Sequence, residues 1–310
     1  MLITWLAVGL LLTGIGSAAQ QGGVAYDNYT GFTKLWDGAT FTNWNGETDV
    51  WSIEDGTIHA DTTKTPGQHH IHYTGPGAVM RDFDLKVDVK LSATGANGGI
   101  QYRSRLLHTA HGGSIQNPLG KSVPPGITTL AQAVAAGLTT VPPPRGAGAG
   151  NRGAGANASG RGGPAGPNDP IASGNPWQVS GYQFDLDSNN VYTGQLYEGQ
   201  GRGIITPPGT IVELLPGRMA ARIGTVTENA LALIKPHQGL AGEWNQVEII
   251  ARGNTLMHMI NGKVISVSVD DNPDFRAFQG ILSLQLEGNG QIWYRNVYVK
   301  ALAELKAVGM

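Results

Sequence analysis

Three polar residues alternate along one short segment: Gln183, Asp185 and Asp187, interleaved with Tyr182, Phe184 and Leu186. On a strand, residues two apart share a face, about 6.6 Å from one another. The apolar set therefore reads as core, and the polar set as a candidate site. The next segment puts Gly194, Leu196 and Glu198 in one row and Thr193, Gln195 and Tyr197 in the other. If the two strands are neighbours, Glu198 approaches Asp185. Two facing carboxyl groups are the usual equipment for cleaving a glycosidic bond. The Glu-x-Asp-x-Glu row of retaining glucanases is absent, which argues against ordinary glucanase chemistry. Asp185 and Asp187 are equally readable as a wet sheet face or as oxygen ligands for calcium.

Other side chains invite a chemical reading. Arg103 and Arg105 share a strand face, suited either to a ligand or to surface ion pairs. His258, just before a hairpin turn, has the residue type for proton transfer near neutral pH, or for a structural role. His69, His70 and His72 resemble a metal-binding group, but they sit in what reads as a Gly/Pro loop with no carboxylate at a suitable spacing. A divalent metal, calcium or a transition metal, is compatible with these side chains, and its ligands are not identifiable. Trp44, between Asn43 and Asn45, is the candidate platform for stacking on a sugar ring, whereas Trp51 and Trp244 begin strands and read as core.

The elements that must hold these residues are strands. Trp51-Ser52-Ile53-Glu54-Asp55-Gly56-Thr57-Ile58-His59-Ala60 reads as a hairpin turning at Asp55-Gly56, and Asn261-Gly262 predicts a second hairpin. Residues 83–91 alternate apolar and charged, which predicts one buried and one wet face. Further strands are expected at 99–105, 180–187, 191–197, 231–235, 244–251, 255–269, 280–287 and 291–300. Many short strands with Gly, Asn and Asp turns indicate an all-β sandwich or barrel. Residues 106–176 break the pattern. Within them, 142–168 is rich in Pro, Gly, Ala, Asn and Arg and too poor in apolar residues to repay ordering, so a long disordered insertion is expected.

The bulk composition narrows the function classes. The 310 residues carry a net charge of −2, with 46 Gly, 17 Pro and no Cys. No basic field argues for nucleic acid, and disulfides, thiolate metal sites and cysteine nucleophiles are excluded. Residues 2–14 form a short apolar run, followed by Ser17-Ala18-Ala19. This predicts a signal peptide over residues 1–19, a periplasmic or secreted protein of the bacterial envelope, and no membrane span after cleavage.

A set of short motifs, in order, carries a family resemblance. These are Gly31-Phe32-Thr33-Lys34-Leu35-Trp36-Asp37-Gly38, Asp82-Phe83-Asp84-Leu85, Asn97-Gly98-Gly99-Ile100-Gln101-Tyr102-Arg103, Ser180-Gly181-Tyr182-Gln183-Phe184-Asp185, Gly201-Arg202-Gly203, Gly242-Glu243-Trp244-Asn245 and Gly280-Ile281-Leu282-Ser283-Leu284-Gln285. Together they resemble the 3-keto-disaccharide hydrolase family, over a domain spanning 28–304 interrupted at about 106–176. Two departures stand out: the insertion itself, and Glu287 where many relatives carry His. The resemblance implies a concanavalin-like jelly-roll β-sandwich and an exported enzyme that cleaves 3-keto-disaccharides or 3-keto-glycosides, by hydrolysis or elimination. A non-catalytic carbohydrate-binding module or lectin is the alternative. On a 3-keto sugar, Asp185 or Glu198 would serve as base. Arg103 or a bound cation would stabilise the enolate, and His258 would act as acid. Gln183, Arg202, Trp44 and Gln285 would bind the oligosaccharide or glycoside.

Overall fold

The structure, a computed structural model, describes residues 27–106, 177–199, 201–216, 219–235 and 243–303. The expected leader at 1–19 and nearly all of the expected insertion lie outside the described residues. The described strands are β1 (Thr33–Lys34), β2 (Trp44–Gly46), β3 (Trp51–Glu54), β4 (Thr57–Asp61), β5 (Gly67–Tyr73), β6 (Phe83–Leu91), β7 (Ala96–Leu106), β8 (Val179–Asp187) and β9 (Leu196–Gly199). They continue with β10 (Gly203–Thr206), β11 (Thr210–Leu215), β12 (Met219–Thr225), β13 (Asn245–Arg252), β14 (Thr255–Ile260), β15 (Lys263–Asp270), β16 (Ile281–Gly288) and β17 (Gln291–Ala301).

Two sheets form from these strands. The larger runs β12-β11-β15-β14-β13-β6-β17-β4-β3, with β1 also paired to β17. The smaller runs β10-β9-β8-β7-β16-β5-β2. The core between them takes one side-chain parity from each sheet. Leu85, Val87, Val247 and Ile249 come from the larger sheet, and Ile100, Phe184, Leu186 and Leu284 from the smaller. This is an all-β jelly-roll sandwich of the concanavalin-like kind. Among the described residues, no helix is long and apolar enough to cross a membrane.

Local chemistry explains the predicted hairpins. Asp55 and Gly56 both take positive φ, 46° and 70°, as do Asn261 and Gly262, 49° and 74°. Such turns match the twist of the strands they join. Other expectations need correction. Residues 191–195 are turn, and only Leu196–Gly199 is strand. Residues 230–233 form a short 3-10 turn rather than a strand, with the Asn229 side chain accepting from the Ala232 N–H. The outer face of β6 is not wet. Lys86 donates to the carbonyl of Asn28 and lies over the rings of Tyr29 and Phe32, while Lys90 lies over Trp244 and Trp293. Long aliphatic stems beneath charged heads let these lysines serve as cover.

Candidate functional site

Strand parity sets apart a polar face on the smaller sheet, the face turned away from the core. Register places Asn45, His72, Ser283, Gln101, Gln183 and Tyr197 in one row across β2, β5, β16, β7, β8 and β9. A second row, two residues along each strand, holds His70, Gln285, Gly99 and Asp185. A third holds Gln68, Glu287, Asn97 and Asp187. The grid is rich in amides and imidazoles and includes three carboxyl groups.

Asp185 lies at the centre of a hydrogen-bond ring. Gln183 Nε2 donates to its Oδ1 at 3.0 Å, and Gln195 Nε2 donates to its Oδ2 at 2.6 Å. Burial drives its pKa up to about 8, and the charge of Glu287 adds to the rise; the two amides work against it. Glu287 is also raised by burial. It accepts from Gln68 Nε2 at 3.1 Å, from Gln285 Nε2 at 3.2 Å and from Asn97 Nδ2. Asp187 is occupied differently. Its carboxylate accepts from the backbone N–H groups of Asn189 and Val191 and so caps the turn that follows β8. The imidazoles of His70 and His72 are held neutral by burial, His72 at about 3. The Trp177 ring lies 5.8 Å from His72.

Gly99 makes room for this ring. A Cβ there would stand 2.5 Å from Gln183 Nε2 and 2.7 Å from the Phe184 carbonyl oxygen. Gly99→Ala is therefore expected to lower the unfolding free energy by about 1–3 kcal/mol and to displace Gln183 from Asp185. Urea unfolding checks the first effect, and the loss of the activity proposed below checks the second.

The sequence-derived candidates divide. Asp185, Gln183 and Gln285 share the polar face. Glu198 does not: it pairs in register with Tyr182, so its side chain points to the inter-sheet side. There Arg202 holds it through Nε at 2.6 Å, and the same guanidinium reaches Asp270 Oδ2 at 2.6 Å, which also accepts from Tyr182 Oη. The expected meeting of Asp185 and Glu198 therefore does not occur, and Arg202 is spent on two buried carboxylates. His258 stands between the sheets, with Nε2 2.8 Å from Tyr102 Oη and Nδ1 3.2 Å from the Gly194 carbonyl. Burial lowers its pKa to about 4, so at neutral pH it is a neutral imidazole and not the imidazolium that a general acid requires. Arg103 sits at a β-bulge with φ 47° and is turned to Asp82 and to the carbonyls of Arg81, Gly253 and Ala277. Trp44 is core, its Nε1 donating to the Leu35 carbonyl at 3.0 Å.

The three histidines lie on β5, not in a loop, and alternation separates them. His69 faces away from His70 and His72 and pairs with Glu47 at 2.6 Å. Among the described residues, no group of three His, Asp or Glu is disposed to hold a metal ion. The sequence reading missed His70, His72, Gln101, Gln195 and Glu287 as a group. The available signal was the Gln68-x-His70-x-His72 alternation, which becomes visible only once residues 67–73 are read as a strand.

The chain is distantly similar to several solved structures. A candidate glycosyl hydrolase from Parabacteroides distasonis ATCC 8503 is 15% identical, with 87% of this chain and 99% of that one covered, at a TM-score of 0.42. A carbohydrate-binding module, CBM66, from Bacillus subtilis is 9% identical, covering 84% and 96%, at 0.40. A Bacillus subtilis protein of galectin-like fold is 8% identical, covering 88% and 100%, at 0.48. No curated protein matches the chain. The family model of the 3-keto-alpha-glucoside-1,2-lyase-like domain matches residues 31–128 and 148–300, most of the chain, and the protein belongs to that family.

Proposed function

We propose that this protein cleaves the C1–O bond of 3-keto-glucosides on the polar face of its smaller sheet, by elimination. The observation that carries the reading is two carboxyl groups on one face, Asp185 buried and Glu287 half-buried, with unequal proton affinity. Asp185 is held near 8, partly by the charge of Glu287. When two acidic groups interact, one ionises while the other keeps the proton, and this separates acid from base. Near neutral pH, Glu287 is the base and Asp185 the acid. His258, the acid expected from sequence, gives up that role to Asp185.

The C3 ketone acidifies the hydrogen on C2. Glu287 takes that proton, and the electron pair forms the enolate across C2 and C3. The enolate collapses, the C3 ketone re-forms, a C1–C2 double bond appears and the C1–O bond breaks. Asp185 gives its proton to the departing oxygen. The products are a 2-hydroxy-3-keto-glycal and an alcohol. Addition of water across C1–C2 then yields the free 3-keto sugar, so one site accounts for both elimination and hydrolysis. The leader read in residues 1–19 makes this a proposal for an exported enzyme.

The test uses methyl 3-keto-α-D-glucopyranoside in D2O. Methanol release with deuterium at C2 of the recovered 3-keto-glucose is expected. The rate should fall as pH rises through about 8, because the acid form of Asp185 is lost there. Binding without any turnover across pH 5–9 would turn the reading into that of a carbohydrate-binding module.

A further inference from the structure

Several buried polar atoms on the same face have no hydrogen-bond partner, among them His70 Nδ1, Gln101 Oε1 and Gln285 Oε1. His70 is fully buried, and the two glutamines are 1% exposed. An unpaired buried polar atom costs about 1–3 kcal/mol, so three on neighbouring strands mark a place where a ligand completes the bonding.

The chemical sense of these atoms can be worked out from a single main-chain carbonyl. Gln183 Nε2 lies 3.2 Å from Gly98 O, which only accepts, so the amide nitrogen of Gln183 must be the atom on that side. Gln183 Oε1 then faces Gln101, whose Nε2 donates to it at 3.0 Å. The same Gln101 Nε2 lies 3.3 Å from His70 Nε2, which must therefore accept. With Nε2 acting as an acceptor, the ring proton sits on Nδ1. Burial, with His72 and His69 nearby, keeps His70 neutral, in agreement. Gln285 is fixed in the same way, its Nε2 donating to Glu287 and its Oε1 left free. Of these three atoms, His70 Nδ1–H is a donor and the two glutamine oxygens are acceptors.

We propose that His70 donates through Nδ1–H to the ketone oxygen of a 3-keto-glycosyl unit, while Gln101 Oε1 and Gln285 Oε1 accept from hydroxyl groups of the same ring. This rests on the function proposed above and assigns a substrate contact within it. A ketone accepts and its neighbouring hydroxyl groups donate, so the pattern matches the oxidised sugar. The parent sugar has a hydroxyl at C3, which gains less from a lone donor. His70 and Asp185 occupy one row three strand spacings apart, roughly 14 Å between Cα atoms. A pyranose ring lying along this row over Gln285 and Gly99 would turn its ketone toward His70 and its departing oxygen toward Asp185. As the enolate forms, the same N–H meets a growing negative charge. His70 is thereby a catalytic residue as well as a recognition residue.

The test compares binding of methyl 3-keto-α-D-glucopyranoside with that of methyl α-D-glucopyranoside by calorimetry, and follows turnover of the ketone separately. The wild type is expected to prefer the ketone by about tenfold or more. His70→Ala is expected to lose that preference and about 100-fold in kcat, and His70→Asn, which keeps an N–H near the Nδ1 position, to retain part of both. Nitrogen-15 NMR of the wild-type imidazole should show the proton on Nδ1, and this measurement needs no variant to fold. A proton on Nε2, no wild-type preference for the ketone, or an undiminished preference in His70→Ala would overturn the proposal. Should the wild type prefer the ketone through His70 yet never turn it over, the recognition stands and the elimination reading falls.

Discussion

Asp185→Asn is expected to cut turnover sharply and to make the protein more stable. The first effect follows from losing the acid, typically about 10²–10⁴ in kcat. The second follows from linkage. The carboxyl group has a pKa of about 8 in the fold and about 3.9 in the unfolded chain. A raised carboxyl contributes its stability in full below the unfolded value. That contribution drains away as pH climbs from about 4 to about 8, because the unfolded chain ionises first. Four units correspond to about 5 kcal/mol at most. Asparagine is spared this loss but must turn an N–H toward one of two donors, Gln183 or Gln195, and so gives up one bond. A net gain of about 1–3 kcal/mol at pH 7–8 is expected. The gain should disappear by about pH 4. Chemical denaturation of both proteins across this range checks it, and a flat difference would show that Asp185 titrates like an exposed carboxylate.

The second large effect belongs to the other side of β8. Arg202 joins Glu198 and Asp270, and Tyr182 Oη donates to Asp270 while accepting from the Ala277 N–H. Removing the cation strands two buried carboxylates. Arg202→Met is expected to cost about 3–5 kcal/mol. Glu198→Gln added to Arg202→Met should restore part of that loss, since one of the stranded charges is then gone. Denaturant midpoints of the single and double variants decide it. Equal midpoints for wild type and Arg202→Met would mean that the network is balanced by its own desolvation cost.

Much of the fold was legible because its turns and core rows are written in residue type. Asp55-Gly56 and Asn261-Gly262 supply the positive φ that tight hairpins need, and Tyr182, Phe184 and Leu186 identify the inward side of β8. The site was legible only in part. Asp185, Gln183 and Gln285 were found because alternation around them is clean. Glu198 has the right chemistry for a partner, but its facing depends on register across β8 and β9, and one residue of register decides it. β5 stayed hidden because Gly67-Gln68-His69-His70 follows Pro66 and looks like a loop. β10, β11 and β12 straddle Pro207-Pro208-Gly209, which reads as a break. Arg103 was misread because a bulge between Tyr102 and Arg105 turns it out of the row that simple alternation assigns to it.

The two variants sit on opposite sides of a single ribbon of chain, and this constrains how the protein can evolve. β8 anchors the inter-sheet network through Tyr182 and presents the acid through Asp185, three positions on. Inserting or deleting one residue between them would put both on one side, sending either the carboxyl group into the core or the phenol out to the ligand. Length changes between these two positions of β8 are thus forbidden twice over, by folding and by chemistry.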